Sequence, residues 1–350
     1  MSDNKTLQTT ETPPGLQENV DLTPFNTLQL PAWARYYARV TCRSALLQHL
    51  HWARDRKLDS LILGGGSNLV FNGDYPGLVL HLALRGRRWS QVTENSAMLE
   101  LEAGEDWHES VLYAARTGFR GIENLALIPG TVGAAPVQNI GAYGVELSDS
   151  LAEVEALDTQ TLQWHRLDRD ACELAYRESL FKRQPGRYLI TRIRLALSRQ
   201  RDFCLKYRDL AEAFAKSNPQ DLTPLQVVET VMAIRRSKLP DPQTLPNAGS
   251  FFKNPVVDQA HYKQLLALHP DIVAYPDPAG MKLAAAWLID QSGWKGFHDA
   301  RVGVHKRQAL VLINHSRACG PDLLNLAARI QADILTRYGV RLEIEPRIVP

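Results

Sequence analysis

GIENLALIPGTVGAAPVQNIGAYGVEL, Gly121 to Leu147, is the stretch from which the rest of the chain is read. It holds five glycines and only two charged residues, Glu123 and Glu146, so it is neither a solvated linker nor a regular helix. Pro129 and Pro136 also exclude a central strand, because each removes a backbone donor. What remains is a surface of bare peptide. Glycine permits positive φ and close approach to the main chain, and small residues with free N–H groups suit a diphosphate or a flat ring. A bound nucleotide cofactor and a Gly-rich region that only packs are both compatible with this composition.

Upstream, Ser44 can cap a helix bearing Leu46, Leu47, Leu50 and Ala53, and Leu61-Ile62-Leu63 reads as a short buried strand entering Gly64-Gly65-Gly66-Ser67-Asn68. A dinucleotide fingerprint of the Rossmann type would need glycine where Leu69 stands and a helix thereafter. The chain instead continues through Leu69-Val70-Phe71, so a phosphate-cradling turn between two strands is what survives. Strands are expected over Leu78 to Leu84, Ala97 to Ala103, Leu151 to Leu157 and Tyr188 to Leu197, with an amphipathic helix from Trp107 to Thr117. This half is therefore α+β.

Downstream, Phe203 to Asp221 turns charged and polar and marks a domain junction. Thr223-Pro224-Leu225-Gln226 is a capping box with Pro at the first helical position, and Leu239-Pro240 stops that helix. Arg235, Arg236 and Lys238 gather at its C-terminus, where cations are favoured on structural grounds alone. A short helix over Leu283 to Gln291, a strand over Ala309 to Ile313 and a helix over Leu323 to Tyr338 follow. At the end Val340, Leu342 and Ile344 alternate with Arg341, Glu343 and Glu345, as in a strand with one polar face.

With 350 residues the chain is long enough for two cores. Its hydrophobic share of 45% and charged share of 22% are those of a soluble globular protein, and a net charge of +2 offers no field for nucleic acid. The longest apolar run, Leu283 to Ile289, is far shorter than the ~20 residues a membrane span needs. Cys42, Cys172, Cys204 and Cys319 stand apart, which implies reduced thiols rather than a metal site or a disulfide framework, and fits a cytoplasm. Residues 1–20 read as a disordered tail without signal-peptide character.

Four further motifs, LILGGGSNLVF (Leu61 to Phe71), YRESLFK (Tyr176 to Lys182), NAGSFFKNP (Asn247 to Pro255) and LEIEPRIV (Leu342 to Val349), join the central stretch in order along the chain. Together the five resemble the UDP-N-acetylenolpyruvoylglucosamine reductase family from about Leu22 to the C-terminus. The resemblance implies an α+β fold with an FAD-binding domain of the vanillyl-alcohol-oxidase (PCMH) type at 21–200. A smaller α+β substrate-binding domain with its linker at 201–340 follows, then a C-terminal strand at 341–350 carrying the catalytic glutamate. It implies non-covalent FAD held by Gly64, Gly65, Gly66, Ser67 and Asn68, and by Ile128, Pro129, Gly130, Gly133, Ala134, Ile140 and Gly141. Ala134-Ala135 stand where many relatives carry a serine, so a hydroxyl bond to the flavin must be replaced by backbone or be absent. Pro346 stands where an aliphatic residue is common.

The same resemblance implies that NADPH reduces the flavin and that the enolpyruvyl ether of UDP-N-acetylglucosamine then takes hydride on its methylene carbon. Arg177 and Glu345 would serve the developing enolate, and Ser250 would return a proton. Read alone, Arg177 is an ordinary solvated arginine. Ser250 has no neighbouring histidine and no GxSxG setting, which argues against a hydrolase nucleophile. Tyr207, Lys238, Asn254 and Gln308 are implied substrate contacts, Tyr207 being the mark of the branch in which a tyrosine closes over the diphosphate, and His305 is a weaker one. A flavin oxidase on the same fold and a non-catalytic nucleotide-binding protein are the alternatives. No linkage histidine marks the first, and the presence of Arg177, Ser250 and Glu345 speaks against the second. Oligomeric state is open, with a monomer compatible.

Overall fold

A computed structural model describes residues 12–350, which divide into two compact units. Of the described residues, the first comprises 12–20, 34–65 and 75–235; the second comprises 21–33, 66–74 and 236–350. The boundary expected near residue 200 is thus displaced to Arg235. Phe203 to Asp221 is polar because most of it is exposed, not because a domain ends there.

In the first unit, Leu16–Asp21, Trp33–Val40, Tyr75–Leu82 and Ser60–Leu63 form a four-stranded sheet, in that order. Trp33–Val40 and Ser60–Leu63 both run parallel to Tyr75–Leu82. Part of the expected N-terminal tail is therefore a strand; residues 1–11 lie outside the described residues. The helix Arg43–Asp55 packs Leu46, Leu50, Trp52 and Ala53 against this sheet, and its N-cap is Cys42 rather than Ser44.

A five-stranded antiparallel sheet follows, ordered Trp164–Asp168, Leu151–Asp158, Tyr188–Ser198, Ser96–Glu102 and Arg87–Ser90. Its outermost strands were not legible, since both are short and rich in charge. The helix Trp107–Arg116 covers one face; Asp106 caps it by accepting from Glu109 N. Leu99, Val111, Leu125, Val132, Val154 and Ile193, all fully buried, belong to the resulting core. Glu155 and Glu100 sit within the sheet at the centre of arginine ladders, where several guanidiniums share two buried carboxylates. The capping box at Thr223 is present, with Gln226 N donating to Thr223 Oγ1 and Thr223 N donating to Gln226 Oε1.

The second unit holds two three-stranded sheets. One is ordered Asn247–Ser250, Val311–Asn314, Val302–Val304, and the other Val256–Val257, Gly280–Leu283, Ala274–Asp277. Arg347–Val349 pairs in parallel with Leu69–Phe71, which ties the C-terminus to the segment following the glycine turn. The helix Gly320–Tyr338 supplies Leu323, Leu326, Ile330 and Ile334 to the core and ends on Gly339 in the left-handed conformation (φ 66°). Leu283 belongs to a strand, so the apolar helix begins only at Ala285.

Candidate active site

The central stretch is built as the prolines and glycines demand. Glu123–Leu125 and Val132–Gln138 are 3-10 turns, and Gly141–Ala142 pairs with Val145–Glu146 as a hairpin. The hairpin loop is Tyr143-Gly144, with φ of 51° and 81°, so both central residues are left-handed, as a primed turn requires. Asn139, fully buried and also left-handed (φ 44°), is the hub beside it. Its NH₂ donates to Glu146 Oε2 (2.7 Å) and Ala175 O (3.2 Å), while its oxygen accepts from Ser148 N (3.0 Å).

Two glycine turns meet within the first unit. A Cβ on Gly64 would lie 2.4 Å from Thr131 Oγ1, and one on Gly65 would lie 2.8 Å from Gly130 Cα. Neither turn can carry a side chain there, so their joint surface is bare peptide with small groups such as the exposed Ala134 at its margin. That cradle fits a diphosphate and a flat ring. Gly133 is different, because the space its missing Cβ leaves is filled by Ala103, 2.6 Å away, and serves internal packing. Ile140 is also different: its side chain is 7% exposed and belongs to the core, leaving only its backbone for a ligand.

Gly66, Ser67 and Asn68 belong to the second unit. Gly66 is buried and left-handed (φ 61°), and its missing Cβ makes room for Phe25 O, 1.9 Å from where that atom would sit. Asn68 O accepts from Arg347 N (3.0 Å), so this end of the turn is pinned by the C-terminal segment.

Arg177 occupies a tight turn closed by Ala175 and Glu178, again left-handed (φ 54°). Its guanidinium donates to Gly141 O (3.1 Å), and Lys182 Nζ donates to Arg177 O (2.9 Å). The Asn139 bond to Ala175 O fixes the base of this turn. Beside it stands Arg235, which sequence reading explained by the preference of cations for a helix C-terminus. The structure buries its head group beneath Tyr143, whose hydroxyl is hydrogen-bonded to it. Burial pushes the Arg235 pKa down, Tyr143 counters this, and the positive charge of Arg177 adds to the depression. Burial likewise pushes the Tyr143 hydroxyl up, so it stays protonated at neutral pH. Arg235 Nε is buried without a hydrogen bond. Two neighbouring guanidiniums of this kind have the chemistry to bind an anion. Tyr207 is 46% exposed and meets the Tyr143 ring edge-on at 5.0 Å.

In the second unit, Ser250 ends a strand whose register shifts between Asn247 and Ser250, with Gly249 left-handed (φ 69°) at the irregularity. A register shift of this kind breaks the regular in-out alternation just before the serine. The next residue, Phe251, accepts through its carbonyl from Glu345 N (2.9 Å), and Phe252 bridges Ile344, so the segments carrying Ser250 and Glu345 lie side by side. Glu345 is not on the exposed polar face that alternation implied. It is 9% exposed, whereas Glu343 is solvent-facing and paired with Lys253 Nζ (2.9 Å). Alternation fails because the regular strand begins only at Arg347, after Pro346.

Asn254 has a structural task, since its Oδ1 accepts from Ala285 N (3.0 Å) at the start of the helix Ala285–Gln291, which leaves its NH₂ as the donor for a ligand. Gln308 O accepts from Val311 N (3.1 Å) in the loop before that strand. His305 is buried and its pKa is lowered, first by burial and then by Arg307, Lys306 and His298, so it is a neutral ring at pH 7 rather than a poised base. Lys238 is the last residue of the helix Pro224–Lys238. Among the described residues no cluster of His, Cys, Asp and Glu could hold a metal, and no helix is long and apolar enough to cross a membrane.

A model of an FAD binding domain matches residues 34–165, and a model of the UDP-N-acetylenolpyruvoylglucosamine reductase C-terminal domain matches residues 241–349. With the bare-peptide cradle, this defines a flavin-dependent oxidoreductase of α+β architecture. Two curated UDP-N-acetylenolpyruvoylglucosamine reductases, from Pseudomonas fluorescens (strain Pf0-1) and Pseudomonas aeruginosa (strain PAO1), are each 48% identical, over 95% of this chain and 98% of their own length. The solved UDP-N-acetylenolpyruvylglucosamine reductase of Thermus caldophilus shares the fold, with a TM-score of 0.66 at 24% identity over 96% of this chain and all of that one. The chain belongs to the UDP-N-acetylenolpyruvoylglucosamine reductase family.

Proposed function

We propose that the protein reduces the enolpyruvyl ether of UDP-N-acetylglucosamine to UDP-N-acetylmuramate, with NADPH as the reductant, in peptidoglycan precursor synthesis in a bacterial cytoplasm. The observation that carries this reading is the near full-length agreement with the Pseudomonas reductases at 48% identity. Bound FAD supplies the hydride chemistry, held without a covalent link by the Gly64-Gly65 and Gly130-Thr131 turns. All else is the work of this chain's residues.

Arg177 holds the substrate carboxylate through its guanidinium fork and neutralises the charge that develops as hydride arrives at the methylene carbon. That charge exists only late in the step, so a cation fixed beforehand lowers the barrier selectively. Glu345, protected from solvent, steadies the same carboxyl group by sharing or orienting its proton. Ser250 then passes its hydroxyl proton to the carbon that bears the ether oxygen, which stays bonded throughout, and solvent restores the serine. Lys238, Asn254, Gln308 and Tyr207 hold the UDP portion, Tyr207 in the manner of the branch in which a tyrosine closes over the diphosphate.

The purified protein is expected to be yellow, to bleach on anaerobic addition of NADPH, and to recover its colour on addition of the enolpyruvyl UDP-sugar. Acid precipitation should release the flavin into the supernatant. Colour retained in the pellet, or recovery with oxygen but not with the UDP-sugar, would favour an oxidase instead.

A further inference from the structure

We propose that Asn124 is a positioning residue for the UDP-sugar: it clips the segment leading to Tyr207 onto the Tyr143-Gly144 turn and so fixes the point from which Tyr207 moves. The inference rests on the substrate reading above, but its physical basis lies wholly within the first unit. The Asn124 side chain is fully buried. Its Nδ2 donates both to Tyr143 O (2.9 Å) and to Cys204 O (2.8 Å). Only the NH₂ of an amide can serve two carbonyls, so the group has one possible orientation.

Cys204 is the last point of a continuous clamp. Arg120 Nη1 donates to Arg201 O (3.2 Å) and the Arg120 guanidinium lies 4.1 Å over the Phe203 ring, while Arg201 Nη1 donates to Ser150 Oγ (2.6 Å). Beyond it, Lys206, Tyr207 and Arg208 are exposed. At the other end of the clip, Tyr143 is held in a left-handed conformation that an L-residue adopts only at a cost. This tyrosine receives both the Tyr207 ring and the buried Arg235 head group. Asn124 thus orients the residue on which the Arg235 head group and the Tyr207 arm both lean, without meeting substrate or flavin itself.

The test is Asn124→Ala, examined with and without a covalent replacement for the clip. Loss of two buried amide bonds should raise KM for the enolpyruvyl UDP-sugar by about 5- to 100-fold. Anaerobic flavin reduction by NADPH and FAD retention should stay as in the parent. Trypsin should cut after Lys206 and Arg208 several-fold faster, a readout independent of any substrate. A Cβ on Gly144 would lie 3.1 Å from Cys204 Sγ, so Gly144→Cys places a second thiol within bonding range, at a strained φ of 81° whose cost the single Gly144→Cys variant measures. In Asn124→Ala/Gly144→Cys, oxidised glutathione should take up the two hydrogens of the thiols as the disulfide forms, restoring both KM and protease resistance, and dithiothreitol should reverse this. Unchanged KM and cleavage in Asn124→Ala would overturn the proposal. So would equal slowing of both half-reactions, or flavin loss, that the disulfide leaves uncorrected, since a plain core residue behaves in that way. Failure of the substrate reading is distinguishable: the parent would then not turn over the UDP-sugar, while the trypsin arm would still report on the clip.

Discussion

Ser250→Ala separates the two halves of the cycle. The serine is half-buried at the end of its strand, next to the bulge at Gly249, and its hydroxyl makes no hydrogen bond to another protein group among the described residues. Removing that oxygen therefore orphans nothing, and stability should change by no more than about 0.5 kcal/mol. Flavin reduction by NADPH protonates no substrate carbon and should run at the parental rate. Reoxidation by the enolpyruvyl UDP-sugar requires the proton, and removal of a general acid typically slows such a step by about 10²- to 10⁴-fold, equivalent to roughly 3–5 kcal/mol of barrier. Anaerobic stopped-flow absorbance at the flavin band measures each half-reaction separately, and a thermal melt verifies the fold. Equal slowing of both halves, or reoxidation within a few-fold of the parent, would remove Ser250 from the reaction.

Tyr207→Phe should raise KM for the UDP-sugar by about tenfold or more, since a hydroxyl to a charged diphosphate is worth roughly 1.5–3 kcal/mol, with NADPH oxidation by an artificial acceptor little affected; an unchanged KM would retire the assignment. Gly66→Ala combines a left-handed backbone with a Cβ 1.9 Å from Phe25 O and should cost about 2–4 kcal/mol in urea denaturation. Gly249→Ala, at φ 69° with nothing within 4 Å of the new atom, should cost only about 1 kcal/mol, and equal losses would refute the steric argument. Burial pushes the Cys172 thiol up to about 12, whereas exposed Cys42 is lowered, chiefly by its bond to Ser44. Iodoacetamide at pH 8 should therefore label Cys42 early and Cys172 only on unfolding, as peptide mapping would reveal.

What the sequence disclosed depended on whether the signal was local. The capping box at Thr223, the stop at Gly339 and the buried strands around Val154 to Leu157 and Ile190 to Leu197 each follow from a few adjacent residues. Glu345 shows the limit. Alternation assigned it to the exposed face with Glu343, yet Pro346 ends the pattern and the burial of Glu345 is set by pairing with Phe251, a residue far away in the chain. Arg235 shows the same limit in reverse: three cations at a helix end look sufficient in themselves, and only Tyr143, nearly a hundred positions upstream, covers and bonds the head group of one of them. The domain boundary was misplaced for a related reason, since exposure of Phe203 to Asp221 produces the same polar composition as a linker.

The unusual backbone conformations of the first unit have a common logic. Leu127, Asn139, Tyr143 and Arg177 are non-glycine residues at φ between 44° and 56°, all in or beside the glycine-rich stretch. Each such conformation costs of order 1 kcal/mol and persists only where its surroundings over-determine it. Those surroundings are visible: His108 Nδ1 accepts from Leu127 N, Asn139 ties its own loop to Ala175 and Glu146, and Asn124 holds Tyr143. A glycine at 143 or 177 would relieve the strain but would discard the phenol or the guanidinium. The turns therefore keep a phenol and a guanidinium at positions where the backbone alone would prefer no side chain, and two buried asparagines sustain them. Apart from the side-chain bonds of Asn139, chiefly that to the Glu146 carboxylate, these amides meet the chain at backbone carbonyls and amide groups, which any residue can supply. That is why the glycines announced a site while the residues that hold it together did not.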